Sequence, residues 1–402
     1  MTDDESVCAT GEESLMRCGI TLYIQNYQDW HRYEAIEQGQ AAPPLDPQSD
    51  VKRFMEEIDT ALKLEEQGFD SLWTVEHHVS PYTMTTNPLQ LLTYFAGATK
   101  KIDFGTMVVV VPWHHPLRLA EDMTMLHNLI GPDRKLIVGF GRGAARREFR
   151  QLDIDMNESR DRMLEGIQVI RKAIAQEMFS FQGEYYNYED VTMRPRPRDA
   201  GQLISDMSYA WGSPTSAAVG AKLGLHPLII PQKAWSEYHA DLADFHKERI
   251  GMGYDAVRPR IHMSAICAET EQEAERLVRH YLPQYTDSAT RNYELGSQHF
   301  KNVKGYEHYA EMSNNVSGLS EMAQKLAETY IQNHVWGTPD QCVRKLQQIA
   351  EDFHPEEFML VTRFGSMPKE IADKSTDLIA REVLPAIHEI KLQAPITYAE
   401  AA

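Results

Sequence analysis

The sequence lacks any apolar segment that could cross a bilayer, which takes roughly 20 consecutive apolar residues. Its longest apolar run, from Met107 to Pro112, has the length and the β-branched composition of a buried strand instead. The chain also lacks an excess of basic residues, because 59 acidic side chains outnumber 40 basic ones and give a formal charge of −19. Nucleic acid and anionic membranes select for a basic face, so neither is expected as a partner.

Cysteine is scarce as well. The four cysteines, at positions 8, 18, 267 and 342, are too scattered for a zinc or disulfide framework. The first residues are acidic and polar, without the apolar core of a secretory signal. We therefore expect a reduced, cytoplasmic protein in which residues 1–17 form a flexible N-terminal tail and residues 393–402 a C-terminal tail.

Short apolar segments alternate with amphipathic helical patterns along the rest of the chain. This alternation predicts a parallel sheet with helices outside it. Eight units suggest closure into a (β/α)8 TIM barrel, an α/β fold, as one catalytic domain over residues 18–392. An open, doubly wound sheet is the alternative. The predicted strands are 18–25, 69–75, 102–111, 136–140, 203–211, 225–230, 260–267 and 357–363.

Three stretches depart from the alternation. We interpret residues 26–50, which contain several aromatic side chains, as a long loop that covers the site. Residues 179–202 are predicted to form an irregular excursion. Residues 270–336 are predicted to form a long insertion after the seventh strand, and this insertion is a second candidate for a lid.

Titratable side chains follow two predicted strands at the points where the strands end. Glu76, His77 and His78 follow the second strand, and His114 and His115 follow the third. Catalytic groups of (β/α)8 barrels lie at such ends, and a neutral imidazole can exchange a proton near pH 7. Adjacent strand residues point to opposite faces, so only one of His77 and His78 can face the barrel mouth, whereas Glu76 and His78 can share a face. No His-x-His pair is present, which disfavours a metal site.

A glycine-rich segment with one arginine follows the fourth predicted strand, at residues 139–143. Glycines let a ligand approach the backbone, and the arginine can bind a phosphate, although a simple tight turn fits equally well. A Trp-Gly-Ser-Pro-Thr-Ser segment follows the fifth strand and opens a helix, where it forms either an anion site or an ordinary cap. Together, Arg142, Ser213 and Ser216 suggest one phosphate between neighbouring strand ends, with Trp113 beside it.

Several motifs in order resemble those of the bacterial luciferase-like family of flavin-dependent monooxygenases, in particular its limonene and alkanal monooxygenase branch. They are FDSLWTVEHH, NPLQLLTYFAGATKKIDFGTMVVVVPWHHPLRLAEDMTMLHNL, GFGRGAARREF and DMNESR. The resemblance covers about residues 18–270 and returns at 337–341 and 357–387. It implies reduced FMN, delivered by a separate NAD(P)H reductase, whose C4a-(hydro)peroxide with O2 oxygenates a small, mostly apolar organic substrate. It also implies a homodimer.

The resemblance assigns roles to individual residues. His77, with His78 and Glu76, matches the acid/base group near the reactive part of the flavin. Met107 and Val108 match a pair joined by a non-proline cis peptide against the flavin ring.

Other positions match the groups that bind the flavin phosphate, or depart from the family pattern. The phosphate-binding matches are Arg142, Ser213 and Ser216. Glu148 replaces an aspartate, Gly141 replaces a reactive cysteine, and Gly212 replaces a glutamate. These departures disfavour light emission but leave flavin binding as the expectation.

Three other functions remain open at this point. A deazaflavin-dependent hydride-transfer oxidoreductase would use the same fold. A non-catalytic flavin-binding subunit is disfavoured by the intact Glu-His-His motif and by Arg142. A metal-dependent hydrolase would need bound zinc or manganese.

Overall fold

The computed structural model describes residues 14–211 and 214–397. Residues 1–13 and 398–402 of the predicted tails lie outside these ranges, as do Gly212 and Ser213. The strands are β1 (Arg17–Thr21), β2 (Ser71–Thr74), β3 (Asp103–Val110), β4 (Leu136–Gly141), β5 (Phe179–Gln182), β6 (Asn187–Val191), β7 (Ser208–Ala210), β8 (His226–Ile229), β9 (Arg260–Cys267), β10 (Val335–Gly337) and β11 (Glu357–Val361).

The α-helices of the described ranges surround these strands or form the insertion. They are α1 (Trp30–Glu37), α2 (Pro47–Ala61), α3 (Pro88–Ala98), α4 (Pro116–Ile130), α5 (Arg146–Gln151), α6 (Ser159–Ala175), α7 (Ala200–Ser205), α8 (Pro214–Lys222), α9 (Trp235–Gly251), α10 (Glu271–Tyr293), α11 (Glu307–Asn314), α12 (Leu319–Asn333), α13 (Pro339–Phe353), α14 (Lys369–Leu378) and α15 (Leu384–Ile387).

Eight parallel strands close into a barrel in the order β9, β11, β1, β2, β3, β4, β7, β8. The closing contact is the parallel pairing of β8 with β9, which places Leu228 beside Arg260 and Ile229 beside Ile261. The chain therefore has the predicted (β/α)8 barrel, and the open-sheet alternative is wrong. The insertion after the seventh barrel strand, β9, contains α10, α11 and α12, and it returns through β10, which also pairs with β9.

The barrel interior is filled at its N-terminal end, so ligands can enter only from the opposite end. An ionic layer lies there: Arg17 Nη2 is 2.6 Å from Asp103 Oδ2, and Arg260 Nη1 donates to Ser208 Oγ at 2.7 Å. An apolar layer follows above it, made of Trp73, Met107, Ile137, Leu228 and Met359. The remaining opening is at the C-terminal ends of the strands, where barrel enzymes place their sites.

Two sequence predictions fail locally. Residues 26–50 are not a loop throughout, because α1 and the start of α2 lie there; Trp30 attaches α1 to the insertion by donating from Nε1 to Ser288 Oγ at 2.6 Å. The strand predicted at 203–211 is restricted to β7 and is preceded by α7. The Asp199 carboxylate caps α7 by accepting from the Gln202 amide at 2.9 Å, which favours a helix over an extended segment.

The predicted irregular excursion at 179–202 also contains regular structure. β5 and β6 form an antiparallel hairpin, and α7 follows it. At the start of α3, Asn87 Oδ1 accepts from the Gln90 amide at 2.9 Å and Pro88 is the first helical residue, an arrangement typical of a helix N-terminus. Within the described ranges, no helix is both long and apolar enough to span a membrane.

Candidate active site

A cavity of about 170 Å³ lies at the C-terminal ends of the barrel strands. The strand ends form one part of its wall, and α10 and α12 of the insertion form another. His77 and Arg142 both line this cavity, so the residues from the second and fourth strand ends converge as the sequence suggested. The other predicted site residues on its wall are Met107, Val108 and Ser216.

His77 is held by hydrogen bonds on both sides of its ring. Its Nδ1 lies 2.9 Å from Glu148 Oε1, and its Nε2 lies 3.0 Å from the Tyr293 hydroxyl. An ionised carboxylate only accepts hydrogen bonds, so while Glu148 is ionised the proton of a neutral His77 lies on Nδ1. The Nε2 atom then accepts from Tyr293. This arrangement leaves Nε2 as the nitrogen that can receive a proton at the cavity wall.

Glu148 lies behind His77 and does not line the cavity. The glutamate is fully buried, and its Oε1 also accepts from the backbone amide of His78 at 3.0 Å. Its contact with His77 is that of a group that orients an imidazole, and its side chain does not reach the cavity. The sequence analysis placed Glu148 among the cofactor-binding residues, whereas the structure places it behind His77 and away from the cavity lining.

Glu76 and His78 contact each other, as the sequence allowed, although β2 already ends at Thr74, and neither residue lines the cavity. Glu76 Oε1 is 3.1 Å from His78 Nε2 and 2.7 Å from His114 Nε2, and Glu76 Oε2 accepts from the Val110 amide at 2.7 Å. Burial acts to raise the pKa of Glu76, but the bonds from His114, His78 and Val110 hold it below its usual value. This cluster joins the ends of β2 and β3 and thereby supports the His77 backbone.

The pKa of His114 is raised by the same cluster. Burial acts to lower the pKa, but the hydrogen bond to the Glu76 carboxylate and its charge outweigh burial. The ion pair is therefore favoured in the folded protein, and His114 contributes to the connection between the strands rather than to the cavity wall.

Met107 and Val108 form part of the cavity wall and are joined by a cis peptide bond, as the family resemblance implied. On the neighbouring strand, β4, Gly141 lies beside the Val108 side chain. A Cβ on Gly141 would lie 2.3 Å from Val108 Cγ2, so no larger residue fits there without displacing Val108. The absence of a cysteine at position 141 therefore has a packing reason in this chain.

Arg142 extends into the cavity with part of its guanidinium unpaired. Arg142 is only 9% exposed, and its Nη1 atom has no hydrogen-bond partner. The guanidinium carbon lies 3.7 Å from the centre of the Tyr306 ring, a cation–π geometry that holds the side chain flat. Tyr306 is fixed in turn, because its hydroxyl donates to the Gly143 carbonyl at 2.7 Å. A buried, oriented and unpaired cation of this kind fits an anionic ligand group.

Two further features surround Arg142. Ser216, in the first turn of α8, lines the same cavity and hydrogen-bonds Tyr209. Burial raises the pKa of Tyr209, and the charge of Arg142 opposes this rise. On the other side, a Cβ on Gly305 would lie 2.7 Å from Arg142 Nη1, so glycine is required for this approach. The predicted Ser213 lies outside the described residues.

Trp113 does not line the cavity. Its ring packs edge-on against His78 at 5.2 Å and against Phe149 at 5.5 Å, and it lies next to Gly143. The structure therefore brings together His77, Met107, Val108, Arg142 and Ser216 around one cavity and places Trp113 outside its lining. Among the described residues, no cluster of three or more histidine, cysteine or acidic side chains is arranged to hold a metal.

Sequence reasoning missed the tyrosines that complete the site. Tyr285 and Tyr293 lie within the predicted insertion, on α10, and Tyr82 lies within the loop after β2. Tyr293 contacts His77 although 216 positions separate them. The density of tyrosines in the predicted lid was the one signal that could have indicated their contribution.

Comparison with known proteins agrees with this geometry. Residues 32–354 match the profile of the family described as luciferase-like monooxygenase, and the chain belongs to that family. It is 26% identical over 316 residues to the alkanal monooxygenase alpha chain of the Kryptophanaron alfredi symbiont, covering 76% of this chain and 84% of that protein. It is 24% identical over 341 residues to limonene 1,2-monooxygenase of Rhodococcus erythropolis, covering 82% and 80%.

Solved structures share the fold at lower identity. Monooxygenase RslO1 from Streptomyces bottropensis has a TM-score of 0.68 at 23% identity, over 92% of this chain and 99% of that one. The oxygenating constituent of 3,6-diketocamphane monooxygenase from Pseudomonas putida, solved with FMN, has a TM-score of 0.66 at 20% identity, over 94% and 100%. An F420-dependent secondary alcohol dehydrogenase has a TM-score of 0.65 at 16% identity, over 94% and 100%.

Family membership defines the class of protein. The chain is an oxidoreductase of the luciferase-like monooxygenase family on a TIM barrel.

Proposed function

We propose that the protein is a two-component, flavin-dependent monooxygenase. It takes reduced FMN from a separate NAD(P)H reductase and uses O2 to oxygenate a small, mostly apolar organic molecule. The observation that carries the proposal is that His77 and the unpaired guanidinium of Arg142 line one cavity. A ligand with an anionic tail and a reactive ring satisfies both groups at once.

The phosphate end of the cofactor fits the residues around Arg142. Arg142, Ser216 and the backbone amides that follow Pro214 in the first turn of α8 would hold the phosphate, because helix N-termini favour anions. Each charge-assisted hydrogen bond contributes about 1.5–3 kcal/mol. Ser213 remains a predicted contributor at the same helix end.

The ring end fits an apolar wall. Met107, Val108, Ala210 and Ile230 line the cavity and offer surface without competing polar groups. A flat heterocycle buries its faces against such a surface.

His77 is proposed to transfer the proton that the chemistry requires. Reduced FMN, when bound, supplies the two electrons with which O2 delivers one oxygen atom to the substrate and releases the other as water. His77 Nε2 exchanges a proton at the cavity wall, and Glu148 keeps the other ring nitrogen protonated. Tyr82, Tyr293 and the insertion helices exclude bulk water from this exchange.

Rapid mixing tests the proposal directly. The protein with reduced FMN is mixed with air-saturated buffer, and flavin absorbance is followed in the absence of substrate. Free reduced FMN reoxidises in one rapid process, whereas the protein is expected to separate the reaction into a fast and a slow step. Reoxidation identical to that of free flavin, with FMN shown to be bound, would contradict the proposal.

Deazaflavin-dependent hydride transfer is the second candidate function. It is retained because an F420-dependent alcohol dehydrogenase shares the fold. Oxygen uptake distinguishes the two, since hydride transfer to or from a deazaflavin consumes no O2. Reduction of F420 by an alcohol, without oxygen uptake, would favour this alternative.

We also propose a cytoplasmic homodimer. The helices that follow the second and third barrel strands, α3 and α4, expose apolar side chains, namely Tyr94, Met125 and Leu129. Burying them in a dimer would remove apolar surface from water. Light scattering measures the mass in solution, and a monomer at micromolar concentration would contradict this part.

A further inference from the structure

The cavity wall next to His77 is built largely from tyrosine. We define the tyrosine wall as Tyr23, Tyr82, Tyr285, Tyr293 and Tyr330, all of which line the cavity. Tyr23 follows β1 and Tyr82 lies in the loop after β2, whereas α10 and α12 of the insertion supply the other three. Four separate segments therefore present the same side chain to one space. A wall that only excluded water would not need hydroxyl groups.

The rings of the tyrosine wall are packed into a fixed array. Tyr23 and Tyr285 stack with centroids 5.5 Å apart, and Tyr285 and Tyr330 are 5.6 Å apart. Tyr82 lies edge-on to Tyr293 at 5.5 Å and to His77 at 4.7 Å. Such an array offers both ring faces and ring edges, which are the surfaces that an aromatic ligand contacts most favourably.

The hydroxyls of the tyrosine wall form a chain that remains uncharged. The Tyr82 hydroxyl donates to the Tyr285 oxygen at 3.3 Å, and Tyr285 also bonds Tyr23 and Tyr330. Burial raises the pKa of Tyr82, Tyr285, Tyr293 and Tyr330 well above the usual value. Each neutral hydroxyl has one proton to donate and two lone pairs. The hydroxyls therefore have more lone pairs than their bonds to one another use.

The charge of the cavity narrows the choice of ligand further. Among the described residues that line it, Arg142 carries the only permanent charge, and no carboxylate is present. Arg142 belongs to the other end, next to Tyr209 and Ser216, and in the proposed function it binds the phosphate. A cationic substrate would find no carboxylate on the cavity wall, and an anionic one would compete with the phosphate. The space beside the tyrosine wall suits a neutral molecule.

We propose that the substrate is a neutral aromatic molecule with a hydroxyl group, held against the tyrosine wall beside His77. The inference rests on the proposed function and refines its mostly apolar substrate. An aliphatic aldehyde or a terpene hydrocarbon would leave most of the hydroxyl chain facing carbon, with no partner for its free lone pairs. An aromatic ring matches the ring array, and the ligand hydroxyl can donate its proton to a free lone pair of the hydroxyl chain.

Equilibrium binding to the full chain loaded with oxidised FMN tests the inference without turnover. The probes are 2-naphthol and naphthalene, which differ by one hydroxyl, and decanal. Calorimetry is expected to show 2-naphthol binding at least tenfold more tightly than either of the other two. Tyr285→Phe should remove most of that preference and leave the affinity for naphthalene unchanged. Tyr82→Phe provides a second variant if Tyr285→Phe does not fold, and exposed Tyr94→Phe is the matched control.

Three results would overturn the inference. The first is equal affinity for 2-naphthol and naphthalene, and the second is tighter binding of decanal than of 2-naphthol. The third is displacement of 2-naphthol by FMN, because it would mean that the tyrosine wall binds the flavin itself. Failure of the proposed function is distinguishable, because it appears in substrate-free flavin reoxidation. A protein that prefers 2-naphthol but does not alter flavin reoxidation would keep the substrate class and lose the monooxygenase.

Discussion

Replacing Arg142 by alanine should weaken FMN binding and leave riboflavin binding nearly unchanged. Riboflavin has the same ring as FMN but no phosphate, so the pair separates the tail from the ring. Arg142 is nearly buried, its Nη1 is unpaired, and its plane is held against Tyr306. These features leave the guanidinium oriented for a phosphate before any ligand arrives.

The magnitude follows from the number of bonds that the guanidinium can make. Two charge-assisted hydrogen bonds at about 1.5–3 kcal/mol each give a gross loss of about 3–6 kcal/mol. The substitution also removes an unpaired buried charge from the free protein, which offsets part of this loss. We therefore expect a net loss of about 3 kcal/mol, or roughly a hundredfold in Kd. Arg142→Lys retains the charge without the planar fork and should lose about tenfold.

Anaerobic titration of reduced FMN and reduced riboflavin measures both constants. The matched control is Arg146→Ala in α5, because Arg146 is half-exposed and already paired with Glu294 at 2.5 Å. This control should change neither affinity. If Arg142→Ala weakened both flavins equally, or neither, then Arg142 would not bind the phosphate and the assignment of the two ends of the cavity would be wrong.

Three other predictions concern catalysis and stability. His77→Ala should reduce turnover by about 10²–10⁴-fold while FMN binding survives, since a general acid/base contributes about that much; unchanged turnover would refute its role. Gly141→Ala should destabilise the fold by about 1–3 kcal/mol, because its Cβ meets Val108, whereas Gly97→Ala in α3 meets nothing and should not; calorimetric Tm values compare the two. Burial lowers the pKa of His262 to about 3, so the folded protein binds fewer protons than the unfolded chain between pH 6.5 and 3. The free energy of unfolding is therefore unaffected by His262 protonation above pH 6.5 and decreases as pH falls from 6.5 toward 3. Denaturant titrations at several pH values should show a smaller decrease for His262→Phe. An unaltered dependence of the unfolding free energy on pH would contradict the assignment.

Much of the barrel could be predicted because its signals are local. The buried strands and the titratable groups that follow them could both be predicted from patterns that span only a few residues. The error at 203–211 has the same origin, since short apolar runs do not distinguish a strand from a helix. There the Asp199 cap favours helix for the first residues, and only β7 is extended.

The candidate site was predictable only in part. Motif resemblance named His77 and Arg142, and both line the cavity. The sequence analysis also grouped Glu148 and Trp113 with the cofactor. In the structure Glu148 lies behind His77, and Trp113 packs against His78 outside the cavity lining. A motif identifies which residues stand near a strand end, but the direction of a loop side chain depends on what packs against it.

The sequence by itself determined the alternation of strands and helices, the strand ends that carry titratable groups, and the family. Only the tertiary structure decided that Tyr293 of the insertion meets His77, that Glu148 orients the same ring, and that Tyr306 holds Arg142 flat. The physical reason is distance along the chain. Periodicity reports which face of its own element a side chain occupies, whereas these contacts depend on how the insertion packs across the barrel mouth.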